Sequence, residues 1–173
     1  MKTIQTIVYS FNELDEKAKL KAIEKHRYFY VGEPWWDNVY ESAEETGVKI
    51  TGFDLEDRSK HINGKFIKDA ESVADYIIKD FGETCEAYKM ASNYQKKREN
   101  VLKTAEKDNF GDFTDLYKLD KDLDELDIEF KNDLLNYYLK CLELEYEYYM
   151  SDEFISEFLI NNEYNFLQDG TRF

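Results

Sequence analysis

A long helical repeat of apolar side chains constrains this chain more than any other feature of its sequence. Between Leu119 and Tyr149, apolar residues recur at intervals of three and four. That spacing aligns side chains along one face of an α-helix, and a helix of this length spans about 45 Å. The repeat comprises Leu119, Leu123, Leu126, Phe130, Leu134, Tyr137, Cys141, Leu144 and Tyr148. Further apolar residues in its second half predict that this part of the helix is covered on two sides: Leu135, Leu139, Leu142, Tyr146 and Tyr149.

A second helix is expected to pack against the first. Residues 83–107 are polar, with a thinner stripe of candidate core positions. These positions are Cys85, Tyr88, Ser92, Gln95 and Leu102. Few Gly or Pro residues separate the two segments, so we expect a long antiparallel helical hairpin over residues 83–150.

Strand-like segments occupy the N-terminal third and the tail. Residues 3–10 are rich in β-branched side chains, and residues 48–55 and 61–67 flank a polar turn. Gly52 and Gly64 are expected to mark a bulge or a close backbone approach. The tail, residues 164–173, predicts a strand, an Asp-Gly turn and a short strand.

The fold class that these patterns predict is α+β. We expect a small antiparallel sheet packed with helices, plus the long helical hairpin, in a single domain over residues 1–173. Its parts would be a mixed region at 1–82, the hairpin at 83–150, and a terminal helix with a β-hairpin tail at 151–173. Helix starts are predicted by Asp15, Pro34, Asp69 and Ser151, and helix ends by Gly47 and Gly82.

The negative charge of the chain is concentrated at one end. The chain has 38 acidic and 23 basic residues, a formal net charge of -15, and residues 106–173 carry 19 of the acidic residues against six basic ones. Direct binding to phosphate backbones needs clustered Lys and Arg, so this balance argues against nucleic acid as the ligand. It also argues against docking on anionic membranes. The sequence has no run of about 18 apolar residues that would predict a membrane span.

The strongest functional candidate is an acidic surface on the long helix. In its first half, acidic residues fill most positions outside the apolar stripe: Asp120, Asp122, Asp124, Glu125, Asp127, Glu129 and Asp133. Like charges at this density destabilise a helix, so the concentration of carboxylates on this helix needs an explanation. One interpretation is a solubilising face. The other is a mimic of nucleic-acid phosphates that binds the basic groove of a partner protein.

Two adjacent tryptophans are the other partner-binding candidates. If Pro34 opens a helix, Trp36 faces the core together with Val39. Trp35 is then rotated by about 100°. It either packs at the sheet edge or serves as an exposed interface anchor.

Catalytic and metal-binding patterns are poorly represented. His26 and His61 have no second ligand at metal-binding spacing, and the acidic run beginning at Asp120 lacks the Gly and Glu of a calcium loop. Cys85 and Cys141 fall on predicted helix stripes, where a free Cys behaves as a small hydrophobe. We therefore expect no metal, no cofactor and no enzymatic activity. Reduced thiols and a polar N-terminus without a signal peptide predict the cytoplasm.

Several strings resemble those of small acidic proteins encoded by bacteriophages and mobile elements. The resemblance is carried by residues 9–16 (YSFNELDE), 35–58 (WWDNVYESAEETGVKITGFDLEDR), 82–88 (GETCEAY) and 163–170 (EYNFLQDG). It implies a bacterial host cytoplasm and transfers no catalytic residue. By analogy, proteins of this kind often inhibit host defence, as anti-CRISPR proteins do.

The leading hypothesis is a non-enzymatic inhibitor that binds the basic surface of a host defence effector. Two alternatives remain open. One is a structural or accessory protein that self-associates, as a homodimer for example, through its long helix. The other is a protein that binds a nucleotide signal near Trp35, His26 and His61, where Arg58, Lys60 and Lys65 supply the only local basic cluster.

Overall fold

The α+β class is confirmed by a computed structural model, which describes residues 5–108, 110–111 and 113–173. Within these residues, six α-helices are combined with four strands that form two separate two-stranded antiparallel sheets. The elements in order are β1 (Tyr9–Ser10), α1 (Glu16–His26), α2 (Asp37–Thr46), β2 (Val48–Asp54), β3 (His61–Phe66), α3 (Ala70–Asp80), α4 (Glu86–Thr104), α5 (Leu116–Tyr149), α6 (Asp152–Asn161) and β4 (Asn165–Phe166).

The chain groups into two compact units, and helix α5 contributes residues to both. The central unit is Asp37–Leu142, and the terminal unit combines residues 5–36 with Glu143–Phe173. These boundaries differ from the divisions at residues 82 and 150 that the sequence suggested. The difference arises because α1 and the first strand pack against α6 and the tail, which follow them by more than a hundred residues.

The terminal unit has its own apolar core. Asp15 caps α1 through a 2.8 Å hydrogen bond from the Ala18 amide, and Ser151 caps α6 in the same way, as the sequence predicts. Strand β1 pairs with β4, with Tyr9 opposite Phe166. The buried residues of this core are Phe11, Leu14, Ala18, Ala22, Ile23, Ile155, Leu159 and Phe166.

The predicted strand at residues 3–10 is largely wrong. Only Tyr9 and Ser10 form a strand, while Ile7 is 73% exposed and Thr3 and Ile4 lie outside the described residues. The length of strand β1 is limited by its partner, because β4 has only two residues with which β1 can pair. β-branched composition favours a strand but cannot supply a neighbouring strand.

A tight turn holds the tail against α1. Gly170 adopts φ +78°, and the Leu167 amide donates a 2.8 Å hydrogen bond to the Thr171 carbonyl. Lys21 of α1 forms an ion pair with Asp169 in this turn at 2.5 Å. The Lys21 ammonium, followed by the Thr171 amide and hydroxyl, holds the pKa of Asp169 well below its usual range. The predicted strand and Asp-Gly turn are thus present, although the return segment makes only an isolated bridge between Phe166 and Arg172.

The central unit contains the predicted β2–β3 hairpin, and both glycines have the expected roles. The register shifts between Ile50 and Gly52, which marks a bulge. At Gly64, an added Cβ would lie 2.6 Å from the Leu135 side chain and 2.8 Å from the Lys49 carbonyl oxygen. Helix α5 therefore passes directly over the hairpin at Gly64.

Helix α2 ends as predicted but begins later. Gly47 follows its last residue with φ +95°. The helix starts at Asp37, so Pro34 and both tryptophans precede it. The expected alignment of Trp36 with Val39 along one helix face is wrong, because Trp36 lies before the first helical turn.

Helices α4 and α5 run antiparallel. The buried stripe of α4 differs from the predicted one, whereas that of α5 agrees with it at Leu119, Phe130 and Leu134 and departs from it further along. Early positions of α4 contact late positions of α5, as in the 3.5 Å Lys140–Glu86 ion pair, and later positions contact earlier ones, as in the Lys97–Glu129 pair. The buried residues of α4 are Ala87, Ala91 and Tyr94. The predicted Tyr88, Ser92 and Gln95 lie one position along and are only half-buried. The small alanines were missed because they carry a weak hydrophobic signal.

The buried line on α5 winds around the helix. It passes through Phe130, Leu134, Tyr138 and Leu142, with Leu135 alongside. Steps of four residues drift by about 40° each on a helix of 3.6 residues per turn. The predicted stripe ran through Leu144 and Tyr148 instead, and those side chains are 57% and 52% exposed.

Tyr138 ties this buried line to α2 and makes stability sensitive to alkaline pH. Thr46 donates its hydroxyl proton to the Ala43 carbonyl, so the Tyr138 hydroxyl donates to Thr46 Oγ1 at 2.8 Å. Burial raises the pKa of Tyr138 to about 12. The folded state holds this proton more tightly, so its contribution is intact below about pH 10 and is lost as pH rises through the raised value.

We expect Tyr138→Phe to flatten the alkaline limb of the stability profile. The variant should also lose about 1 kcal/mol of unfolding free energy at neutral pH, because it lacks the hydrogen bond to Thr46. Denaturant unfolding between neutral pH and about pH 11 measures both effects. Tyr117→Phe is the matched control, since the Tyr117 side chain is 81% exposed. Identical pH slopes for Tyr138→Phe and the wild type would contradict this interpretation.

Candidate functional site

The seven candidate carboxylates of α5 divide into two rows. Steps of three and four residues join Asp120, Asp124 and Asp127, which we call the first row. The same steps join Asp122, Glu125, Glu129 and Asp133, the second row. On an ideal helix the two rows face roughly opposite directions, with the buried stripe between them on one side. The sequence prediction treated them as one face, so the structure corrects this point.

Helix α4 packs between the two rows. The Tyr94 ring stacks on Phe130 with centroids 4.5 Å apart and planes inclined by 15°. The Tyr94 hydroxyl donates a 2.7 Å hydrogen bond to Asp127. Burial, together with this acceptor, raises the pKa of Tyr94 well above its usual range. Tyr94 therefore stays protonated and anchors the first row to α4.

Basic side chains of α4 lie beside both rows. Lys97 pairs with Glu129 at 2.6 Å, and Lys97 and Asp133 line the same shallow cleft. On the other side, Arg98 lines an open cleft of about 410 Å³ with the three carboxylates of the first row. Arg98 forms a 2.9 Å ion pair with Glu71 of α3. These cations were not recognised from the sequence, although residues 71–105 contain six basic residues that could have indicated them.

The rows differ in how much of their charge is compensated. Glu125 lies 3.7 Å from Lys121 one turn earlier, and Glu129 is paired with Lys97. Within the part of the chain that the structure describes, the remaining aspartates of the rows form no ion pair. These are Asp120, Asp122, Asp124, Asp127 and Asp133.

Comparison with known proteins leaves the site to be interpreted on its geometry. No protein-family model, curated protein or solved structure matches this chain. The resemblance to small acidic phage proteins is untested and stays a prediction.

Trp35 does not form an exposed anchor. Its side chain is 8% exposed and lies 5.4 Å from the Tyr146 ring, centroid to centroid. Of the two interpretations of Trp35, the packed one fits this burial, and Trp36 is half-buried beside it at 5.7 Å. Trp35 therefore stabilises the terminal unit and is removed from the partner-binding candidates.

The histidines do not form a nucleotide pocket with Trp35. His26 is buried, its Nδ1 lies 2.7 Å from the Ala22 carbonyl oxygen, and its ring contacts Tyr164 and Phe166. His61 is exposed on β3, where its Nδ1 lies 2.6 Å from the Ser59 carbonyl oxygen. His26 is thus occupied by core packing, and the proposed ligand site loses one of its members.

Metal binding and membrane insertion are two further possibilities for this chain. Across the described ranges, no three His, Cys, Asp or Glu side chains are grouped so that they could hold a metal ion. Among the same residues, none of the helices combines the length and apolar character needed to cross a bilayer.

Proposed function

We propose that this protein is a non-enzymatic inhibitor of a host defence complex that handles nucleic acid. The second row of α5 would enter the basic groove that normally holds the phosphate backbone. The observation that carries the proposal is the ordered arrangement of carboxylates on one continuous helix. The phage or mobile-element origin belongs to the same proposal and rests on resemblance alone.

The charge spacing supports a phosphate mimic. From Asp122 to Asp133, the four carboxylates of the second row occupy about 17 Å of helix axis, with roughly 5.5 Å between successive charges. A single nucleic-acid strand carries one charge per about 3.4 Å of axis. A partner groove built for phosphates would therefore meet a row of negative charges spaced within about a factor of two of a nucleic-acid strand, and release of its bound anions would favour association.

The packing of α4 on α5 supports preorganisation. The stacked Tyr94–Phe130 pair and the Tyr94–Asp127 hydrogen bond fix the helix that carries the rows. Binding then costs less conformational entropy than it would for a flexible acidic tail.

Charge reversal of the second row tests the proposal. The variant Asp122→Lys, Glu125→Lys, Glu129→Lys places three cations along the row. Tagged wild type and variant are used to capture partners from a bacterial lysate that contains defence systems, and the captured proteins are identified by mass spectrometry. We expect the wild type to capture a nucleic-acid-binding complex, and we expect the variant to lose it by at least a hundredfold, since each close charge pair contributes about 1 kcal/mol or more.

The matched control reverses three charges on α2. Glu41→Lys, Glu44→Lys, Glu45→Lys changes the net charge by the same amount at exposed positions. This control should retain the partner. Equal loss in both variants would point to general charge attraction, and retention by the second-row variant would rule out the phosphate-mimic mechanism. Circular dichroism verifies that both variants keep their helical content.

A further inference from the structure

The terminal unit carries a strip of large apolar side chains that is exposed at its two ends and half-buried at Phe154 and Phe158. Leu144 and Tyr148 are neighbours on α5 and are 57% and 52% exposed. The Tyr148 ring lies 5.2 Å from Phe154 of α6, and Phe154 lies 6.4 Å from Phe158. Phe29, 55% exposed, continues the line at 5.7 Å from Phe158. We call these five residues the aromatic strip.

The strip is held by the packed rings below it. Tyr30 lies 4.6 Å from Tyr149 and 5.0 Å from Phe154. Phe154 and Phe158 also pack against the buried core of the terminal unit. The strip is thus a fixed surface that would lose little side-chain entropy on binding.

The surroundings of the strip are mainly acidic, and Arg27, two residues before Phe29, is already paired with Asp152 at 2.7 Å. No Lys or Arg occurs between Lys140 and Arg172, whereas that interval contains eight Asp and Glu residues. Glu147, Glu153 and Glu157 are exposed. Glu157 lies on the outer flank of the Phe154–Phe158 face, away from the buried Leu159.

We propose that the aromatic strip binds a basic amphipathic helix of a partner protein. The apolar face of that helix would cover the strip, and its Arg or Lys side chains would reach the surrounding carboxylates. The charge excludes two other occupants: a second copy would bring the same acidic surroundings in a symmetric dimer, and an anionic bilayer would be repelled. This surface lies in the other unit from the two carboxylate rows and is independent of the function proposed for them.

The spacing of the strip fits a helix. Its successive ring centroids are 5.2 Å, 6.4 Å and 5.7 Å apart. One turn of an α-helix rises about 5.4 Å, so apolar residues three or four positions apart would meet successive rings. The cluster already accepts a guanidinium group, because Arg172 lies 3.9 Å above the Tyr164 ring, and Tyr164 contacts Phe158 at 5.9 Å.

Binding of a defined peptide to the full chain tests the proposal. The probe is a fluorescent helix of about 18 residues, roughly five turns, with Leu at helical spacing and Arg elsewhere. Its control has the same composition in scrambled order. Fluorescence anisotropy should show the ordered peptide binding at least tenfold more tightly than the scrambled one, because only the ordered peptide presents a continuous apolar face.

Variants then locate the site and decide between outcomes. A double variant of the strip, Phe29→Ser with Tyr148→Ser, should weaken peptide binding by about tenfold or more. A triple variant of the surrounding carboxylates should weaken peptide binding and also reduce its dependence on salt concentration: Glu147→Gln, Glu153→Gln, Glu157→Gln. Glu41→Gln, Glu44→Gln, Glu45→Gln in the central unit should leave peptide binding unchanged. Thermal unfolding confirms that each variant is folded.

Three results would overturn the proposal. The first is no binding of the ordered peptide, or equal binding of the scrambled one. The second is greater weakening by the central-unit variant than by the strip variant. The third comes from sedimentation: if the wild type is a dimer that Phe29→Ser with Tyr148→Ser converts to a monomer, the strip is occupied by a second copy.

Discussion

Gly170→Ala should be among the most destabilising single substitutions in the terminal unit. An added Cβ would lie 2.1 Å from the Ala18 carbonyl oxygen, and the residue has φ +78°, where a side chain is strained. The overlap is with backbone, so it cannot be relieved by a rotamer change. We expect a loss of about 3 kcal/mol in the free energy of unfolding, measured with denaturant.

Gly32→Ala is the control in the same unit. A Cβ there meets nothing within 4 Å, and Gly32 is not among the glycines with positive φ. Its stability should stay within about 0.5 kcal/mol of the wild type. Equal stability of the Gly170→Ala and Gly32→Ala variants would mean that the tail does not pack on α1 as described.

Two leucines on α5 should respond very differently to truncation. Leu142 is fully buried, whereas Leu144, two residues later, is 57% exposed. Leu142→Ala removes buried methyl groups and leaves a cavity, so we expect a loss of 2–5 kcal/mol, about 3 kcal/mol as a central value. Leu144→Ala should cost less than about 1 kcal/mol.

The comparison of Leu142→Ala with Leu144→Ala tests directly which side of α5 is buried in its second half. The sequence places Leu144 on the main apolar stripe and Leu142 among the apolar residues of a second side, so it does not rank the two positions. Denaturant unfolding of both variants under identical conditions ranks the two positions. A larger loss for Leu144→Ala would contradict the described burial of α5.

Locally determined features could be predicted from the sequence. Asp15, Asp69 and Ser151 each accept a hydrogen bond from a backbone amide three residues on, so their caps depend only on neighbouring residues. Gly47 ends α2 for the same local reason. The β2–β3 hairpin was predictable because its strands adjoin a short turn.

Features that depend on distant partners were not predictable. The second half of α5 is apolar on two sides, and only its contacts decide which side is buried. Phe130 meets Tyr94 of α4, Leu135 lies over Gly64, and Tyr138 reaches Thr46 of α2. Strand β1 likewise depends on the length of β4 at the other end of the chain.

The candidate site was predicted in composition but not in arrangement. The division of the carboxylates into two rows could have been found from their spacing of three and four residues alone. The pairing of Glu129 with Lys97 and the bond from Tyr94 to Asp127 could not, because they require the antiparallel packing of α4. Those contacts decide which carboxylates are available to a partner.

Competition with nucleic acid tests the central claim most directly. The partner captured by the wild type would be purified, and its binding to a labelled nucleic acid measured at increasing concentrations of this protein. The phosphate-mimic account predicts full displacement of the nucleic acid by the wild type and none by Asp122→Lys, Glu125→Lys, Glu129→Lys. A stable ternary complex of partner, nucleic acid and this protein would contradict it.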